Sequence, residues 1–541
     1  MSDVDVLIVG AGPTGLTAAI ELARRDVTVR IIERKPERTM RSKALVLHAR
    51  TLELFDILGI ADDHVRSGYT SPGIDFSANM REPVRATLFG VRTRFPFILI
   101  IPQADTEQAL EERLKREGVA VERGVALSTF VQNENGVTAQ LRHQDGREES
   151  IVSRYMLGAD GSHSLVRAQL GIPFEGSSYP WTALLGDGAV DGLQAEGGTE
   201  QHSADRGLAF VVPFEDGTFR IVTIDSNYQD YPPGKQLELA ELEESASAII
   251  GRPIRMKDPK WLSAWGSDLK IARTYRLGCV FIAGDAAHTH SPAGGQGLNT
   301  GVQDAFNLAW KLAAVIKGWA PAHLLDSYEA ERHAIGKRVL KASDVLLRTL
   351  LIRRPLGRWL RDRIVRALVK TGSINRFLVL NLSAIGFRYR TGTGKRAGQR
   401  LPDMTFRGPA RAPERTYELL RDSLGYTLFL FVSPKQARQL ARNIQAIIAL
   451  GSPLLRVNVV LSSGLPESYD FGVPVHVDFC GDWHTLIGND APRAILVRPD
   501  AYIAFDQRGL DVARIRAGLA SWMVDAQAKV VGAAAALRVA A

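Results

Sequence analysis

The first 33 residues constrain the fold more than any other stretch. Val4 to Val9 is an apolar run of strand length, followed by Gly10-Ala11-Gly12-Pro13-Thr14-Gly15, a helical pattern to about Arg25, and a second apolar run from Val27 to Ile32 that ends at Glu33. This is one β-α-β unit in which each special residue has a physical task. Gly10 permits the tight turn, Gly12 lets a pyrophosphate approach the backbone, and Gly15 allows close helix–strand packing. Pro13 and Thr14 open the helix, whose N-terminus then faces the phosphates. Glu33 stands 18 residues beyond Gly15, where a carboxylate accepts hydrogen bonds from a ribose diol, and Arg34 follows it. The unit predicts dinucleotide binding; at this point FAD and NAD both remain open.

A chain of 541 residues is too long for one core, so two to four domains are expected. Its 45% hydrophobic and 23% charged residues exclude disordered, collagen-like and coiled-coil classes. Two cysteines, Cys279 and Cys480, are too few for a disulfide framework. The formal charge of +8, from 67 basic and 59 acidic residues, is a weak argument for nucleic acid, and no nucleic-acid partner is expected. No run reaches the roughly 18 uninterrupted apolar residues of a membrane span. The N-terminus carries Asp3 and Asp5 and lacks a basic leader, so no targeting segment and a cytoplasmic location are expected. The expected assembly is a monomer or homodimer.

Two further motifs follow. The first is Gly158-Ala159-Asp160-Gly161-Ser162-His163-Ser164, a turn with an N-cap by residue type alone. The second runs from Ala283-Gly284-Asp285-Ala286-Ala287-His288 through Ser291-Pro292-Ala293-Gly294-Gly295-Gln296-Gly297-Leu298-Asn299 to Asp304: an apolar strand ends in a carboxylate, and a glycine-rich loop opens a helix predicted from about Gly301 to Ile316. His288 and His290 lack a third ligand nearby, so no metal is expected. Between Trp181 and about Trp265 the segments read as strands, among them Leu208 to Phe214 and Thr218 to Ile224. Residues 337–370 hold eleven Lys or Arg against Asp344 and Asp362, with an apolar side of Leu346, Leu350, Leu351, Leu356, Trp359 and Leu360. The expected structure is a helix pair packed on the protein with a solvated basic face; lying on an anionic membrane is the competing reading. Gly398 to Pro402 reads as a linker, and Leu496 to Phe505 as a terminal hairpin.

The three glycine motifs, in this order, resemble those of the group A flavoprotein monooxygenases, the single-component FAD-dependent aromatic hydroxylases. The resemblance extends to Arg41-Ser42-Lys43-Ala44, to His48-Ala49-Arg50-Thr51-Leu52-Glu53 and to Pro102-Gln103-Ala104-Asp105. It covers about residues 3–335, and the tail resembles the thioredoxin-like domain of the phenol, pentachlorophenol and polyketide hydroxylase subgroup, without Cys-x-x-Cys. It implies an α/β fold: a Rossmann-like FAD-binding domain (1–180 and 266–394), an inserted β-rich substrate domain (71–101 and 181–265) and a thioredoxin-like C-terminal domain (395–541).

It implies further that Arg41 approaches the FAD pyrophosphate, that Gln103 contacts the cofactor, that Asp160 belongs to a motif shared by FAD and NAD(P)H binding, and that Asp285 holds the ribityl chain. Pro292, Gly295, Gly297, Leu298 and Asn299 are implied to lie beside the flavin, the Pro292 loop nearest its ring. The implied cofactors are FAD, NAD(P)H as co-substrate and O2, and the implied reaction is hydroxylation of a phenolic or polycyclic aromatic substrate through a flavin C4a-hydroperoxide. Epoxidation or Baeyer-Villiger-type oxygenation on the same scaffold is the alternative. Trp261-Leu262-Ser263-Ala264-Trp265 lacks the spacing of the flavin halogenase motif. Trp181, Phe210, Pro213, Phe219 and Phe97 are the candidate substrate lining.

Overall fold

The structure, a computed structural model, describes residues 2–39, 44–76, 84–87, 91–193, 198–232, 235–291, 294–372, 379–408, 413–421, 423–452, 454–487 and 491–523. Arg41 and Pro292, both singled out above, lie outside the described residues.

The main helices are α1 (Pro13–Ala23), α2 (Ala49–Ile57), α3 (Gln103–Arg116), α4 (Leu239–Ile250), α5 (Gln296–Ile316), α6 (Asp326–Leu350) and α7 (Pro355–Lys370). Val4–Val9 lies at the heart of the first sheet, paired in parallel with Val29–Glu33 on one side and Glu148–Gly158 on the other. Val121–Arg123 and Val280–Ile282 extend the parallel pairing outward. Val6, Leu7 and Ile8 are fully buried, which explains why this strand reads as a continuous apolar run rather than an alternating one. The chain leaves the Val4–Val9 strand towards one neighbour and returns later to the other. That reversal opens a crevice at the carboxyl ends of the strands.

The second sheet runs from His288–Thr289 through Met256–Ala272, Phe174–Val190, Phe219–Asp225, Gly207–Pro213 and Thr199–Ser203 to Gly73–Phe76 and Val84–Thr87. Its period-two pattern sends side chains to two different neighbours. Ala209, Val211, Phe219 and Ile221 pack with Leu242, Ala246 and Ile249 of α4. Trp181, Leu208 and Ile224 pack with Leu347 and Leu350 of α6, and Phe210 joins that side. Phe219 therefore sits with α4 on the face opposite Phe210 and Trp181, so these candidate lining residues do not share one surface.

The third sheet contains Tyr426–Val432 and Leu455–Leu461 in parallel, and ends in an antiparallel hairpin of Arg493–Val497 and Ile503–Arg508. The segment read as a linker is instead pinned. The Gly398 amide donates to the Ile503 carbonyl at 2.8 Å, Leu401 is fully buried, and Arg400 forms a buried ion pair with Glu53 at 2.7 Å. Ion pairing across long sequence separation overrides its loop-like composition.

Three other expectations are corrected. Helix α5 starts at Gln296, not near Gly301, because Gly295 adopts a left-handed conformation (φ 60°) that serves as its N-cap, and the glycines mask the helical pattern. Cys279, expected to be buried from its place next to the Gly284-Asp285 strand, is half-exposed, since it lies in the turn before the short Val280–Ile282 strand. Finally, Leu346, Leu350 and Leu351 pack against the second sheet, but Leu356, Trp359 and Leu360 of α7 face solvent.

Candidate active site

Strand register explains how distant motifs meet. Val9 is level with Gly158, and Gly158 with Ile282. The turns after these three strands therefore emerge side by side. The Ala159 amide donates to the Val9 carbonyl at 2.8 Å, and the Ala283 amide to the Gly158 carbonyl at 3.0 Å.

The glycines of the first turn divide by cause. Gly10 has φ 104°, and a Cβ there would lie 2.4 Å from the Ala159 carbonyl oxygen. A Cβ on Gly15 would lie 2.0 Å from the Gly10 carbonyl oxygen. Both are required by the protein's own packing. Gly12 is not: it has φ −75°, and a Cβ on it would meet no protein atom within 4 Å. What lies before Gly12 is open space at a helix N-terminus whose first amides have no intrahelical partner. Pro13 is buried at the start of α1. Thr14 is wedged between the other motifs, since a Cβ on Gly284 or Gly301 would lie 2.6 or 2.3 Å from its Oγ1.

Glu33 accepts hydrogen bonds from the Ala11 amide (3.1 Å) and the Lys35 amide (3.0 Å), which fixes its carboxylate beside the turn, while Arg34 is exposed. Gln103 grips the segment that follows Arg41: its amide donates to the Ala44 carbonyl at 3.1 Å, and its Oε1 accepts from the Ala44 amide at 3.3 Å. Asp160 accepts from the Ser164 hydroxyl (2.5 Å) and the Val166 amide (3.1 Å), so its carboxylate organises the short helix Leu165–Gln169. Arg167 of that helix then donates to the carbonyls of Ser162 and Ala286, both at 2.8 Å, tying the second motif to the third.

Asp285 is exposed between buried Gly284 and Ala286. A Cβ on Gly297 would stand 4.0 Å from its Oδ1, so this carboxylate faces the first turn of α5. A Cβ on Gly297 would make ordinary contacts with His290 (3.8 Å) and Asp285, and Leu298 is half-buried, whereas a Cβ on Gly295 would collide with Val46 at 2.7 Å. Asn299 differs from its neighbours. Its Oδ1 accepts from the His48 amide (2.8 Å) and the Thr51 hydroxyl (2.6 Å), and its Nδ2 donates to the carbonyls of Val46 (2.8 Å) and Gly295 (2.7 Å). Its bonding capacity is filled, and it positions the 46–51 segment against α5.

Sequence reasoning missed two imidazoles as site residues. The His48 Nδ1 and His290 Nε2 atoms are buried without a partner, while the opposite ring nitrogens meet the carbonyls of Gly294 (2.7 Å) and Ser291 (3.1 Å). Burial lowers both to about 4, reinforced for His290 by neighbouring His288, so both rings are neutral at pH 7. His288 is engaged with Asp304 at 2.7 Å, and Asp304 also accepts from the Gly284 amide (3.1 Å) and Arg332 (2.7 Å). Burial pushes the Asp304 carboxyl up, but Arg332 and His288 outweigh it and hold it below the usual range. Among the described residues no His, Cys, Asp and Glu cluster has metal-binding geometry.

A glycine with open space before a helix N-terminus, a second helix opening alongside it, an outward carboxylate and unpartnered buried ring nitrogens together suit a large anionic dinucleotide such as FAD. Residues 3–343 match the family described as the FAD binding domain, and residues 394–526 match the aromatic-ring hydroxylase C-terminal family. The chain belongs to the FAD-dependent aromatic-ring hydroxylases, whose mixed α/β fold it shares. It is 33% identical over 533 residues to pentachlorophenol 4-monooxygenase of Sphingobium chlorophenolicum, covering 94% of this chain and 95% of that protein. It is 34% identical over 523 residues to the 12-dehydrotetracycline 5-monooxygenase/anhydrotetracycline 6-monooxygenase of Streptomyces rimosus, covering 93% and 95%. The structure of aklavinone-11 hydroxylase in a ternary complex with FAD and aklavinone superposes with a TM-score of 0.74 at 25% identity, covering 96% of this chain and 98% of that one. The chain is an FAD-dependent aromatic monooxygenase.

Proposed function

We propose that this enzyme hydroxylates a phenolic or polycyclic, polyketide-type aromatic substrate, with NAD(P)H as reductant and dioxygen as oxygen donor. The observation that carries the reading is the open approach to Gly12 where three strand ends converge. Bound FAD supplies hydride acceptance from NAD(P)H and the activation of dioxygen for transfer of one oxygen atom to an aromatic ring.

The chain's own residues bind, orient and exclude water. Gly10, Gly12, Pro13, Thr14 and Gly15 present the α1 N-terminus to the pyrophosphate, with Arg41 as a counter-charge, and Glu33 receives the ribose diol with Arg34 beside it. Gln103 and Asp285 address the ribityl region. The amides of Gly295, Gly297 and Leu298 and the Pro292 loop border the flavin ring, Asn299 holds that border in place, and Asp160 supports it through Arg167. The Trp181 and Phe210 side of the second sheet supplies the apolar wall for the substrate. In this reading residues 1–180 and 266–394 bind FAD, 71–101 and 181–265 hold substrate, and 395–541 form a thioredoxin-like unit. The test is denaturation of the yellow protein and identification of released FAD, with NAD(P)H oxidation measured across phenols and polycyclic aromatics. Protein that takes up no flavin contradicts the assignment.

A further inference from the structure

Helix α7 is turned inside out. A surface helix ordinarily directs its apolar stripe to the core and its charges to water. Here Leu356, Trp359, Leu360, Ile364 and Leu368, spaced three and four residues apart on one side, are between 41% and 75% exposed. The protein-facing side carries Arg358, Arg361, Asp362 and Arg366, with Val365 and Val369 half-buried beside them. Arg361 is the one buried residue of α7; it donates to the Ser203 hydroxyl (3.2 Å) and the Leu350 carbonyl (3.1 Å) and pairs with Asp362 at 2.8 Å. Arg358 pairs with Asp205. The helix is thus bolted on through arginines while its apolar stripe points outward. Arg363, stacked over Trp359 at 4.9 Å, and Lys370 accompany that stripe. Residues 337–370 carry eleven basic residues and two acidic ones, a local surplus of +9 against +8 for the whole chain.

We propose that α7 lies flat on an anionic phospholipid surface, with its apolar stripe among the acyl chains and its basic residues against the headgroups. The two properties together select this occupant. An isologous contact with a second copy would set α7, with five basic residues against Asp362, beside the same surplus of positive charge. Residues 524–541 hold Asp525 against Lys529 and Arg538, so that segment brings no net negative charge. Among the described residues no helix is long and apolar enough to cross a membrane, and the 16 residues of α7 suit an interfacial position instead. The inference is independent of the reaction catalysed.

The test is co-sedimentation of the full-length holoenzyme with phosphatidylcholine vesicles, with and without phosphatidylserine. Binding is expected to be about tenfold stronger to the phosphatidylserine vesicles and to weaken as salt rises. Leu360→Glu/Ile364→Glu should abolish it with flavin content and far-ultraviolet dichroism unchanged, because both positions are solvent-facing. Arg363→Glu/Lys370→Glu should remove the preference for phosphatidylserine. Equal binding to both vesicle types, no binding, or a Leu360→Glu/Ile364→Glu variant that binds as the parent does overturns the proposal. A concentration-dependent dimer that dissociates in that variant overturns it also, and assigns the face to a second copy.

Discussion

Gly12 separates ligand demand from packing demand at the scale of one residue. Its neighbours Gly10 and Gly15 are each fixed by a carbonyl oxygen at 2.4 Å or less from a would-be Cβ, whereas nothing in the protein limits Gly12. Gly12→Val is therefore expected to give a folded but colourless protein with a melting temperature close to that of the apoprotein, while Gly15→Val misfolds. Visible absorbance and thermal melts of both variants check this, and a flavin-replete Gly12→Val contradicts it. The glycine triplet was legible from the sequence because turn chemistry is local. The role of Asn299 was not, since three of its four partners, Val46, His48 and Thr51, lie 248 to 253 positions earlier in the chain. The neutral imidazoles carry a pH dependence. His48 and His290 stay unprotonated to about 4 in the folded state, against 6.5 in the unfolded chain. The unfolded state takes up the protons first as pH falls, so stability present above about pH 6.5 is lost progressively towards pH 4, by roughly 2–3 kcal/mol per histidine. Urea midpoints at stepped pH should fall over that window, and more shallowly in His290→Asn. An identical slope in the variant refutes the assignment to His290.

Helices α5 and α6 are joined by buried charge as well as by apolar contact. Asp304 and Arg332 are both fully buried at 2.7 Å, and Lys311 meets Glu331 at 2.9 Å. The first pair also holds the Gly284 amide, so the clamp between the helices sets the turn that presents Asp285. Arg332→Leu leaves Asp304 buried with the His288 ring and the Gly284 amide as partners but without its arginine, and is expected to cost about 3–5 kcal/mol. Adding Asp304→Asn should recover part of that loss, which chemical denaturation of the single and double variants measures. Equal stability of Arg332→Leu and the parent contradicts the clamp. At this scale the sequence showed that α5 exists but not where it starts, because the helix opens on glycines. Residues 355–370 showed two faces of different polarity, but periodicity alone does not say which face the protein covers.

The C-terminal unit completes the molecule's electrostatics. Arg498 reaches Glu331 at 2.6 Å and Asp500 at 2.5 Å, while Arg400 and Arg50 converge on Glu53 at 2.7 and 3.1 Å, all of them buried. Leu401, Phe406, Tyr417 and Trp483 belong to the same apolar cluster as Val6 and Leu52. A chain ending at residue 393 strips Glu53 of Arg400 and Glu331 of Arg498, leaving them Arg50 and Lys311, and opens the cluster. It is expected to aggregate without retaining flavin, and expression with flavin quantitation checks this; a stable yellow fragment contradicts it. These pairings were invisible in the sequence, where Gly398 to Pro402 had the composition of a linker, because a buried ion pair is a property of two distant positions. The glycine turns were legible for the opposite reason. The central claim is that these turns assemble a flavin site for oxygen transfer to an aromatic ring, and isotope incorporation tests it most directly. Turnover of a phenolic or polycyclic substrate with NAD(P)H under labelled dioxygen is predicted to place one labelled oxygen atom in the product; product oxygen drawn from labelled water instead contradicts the account.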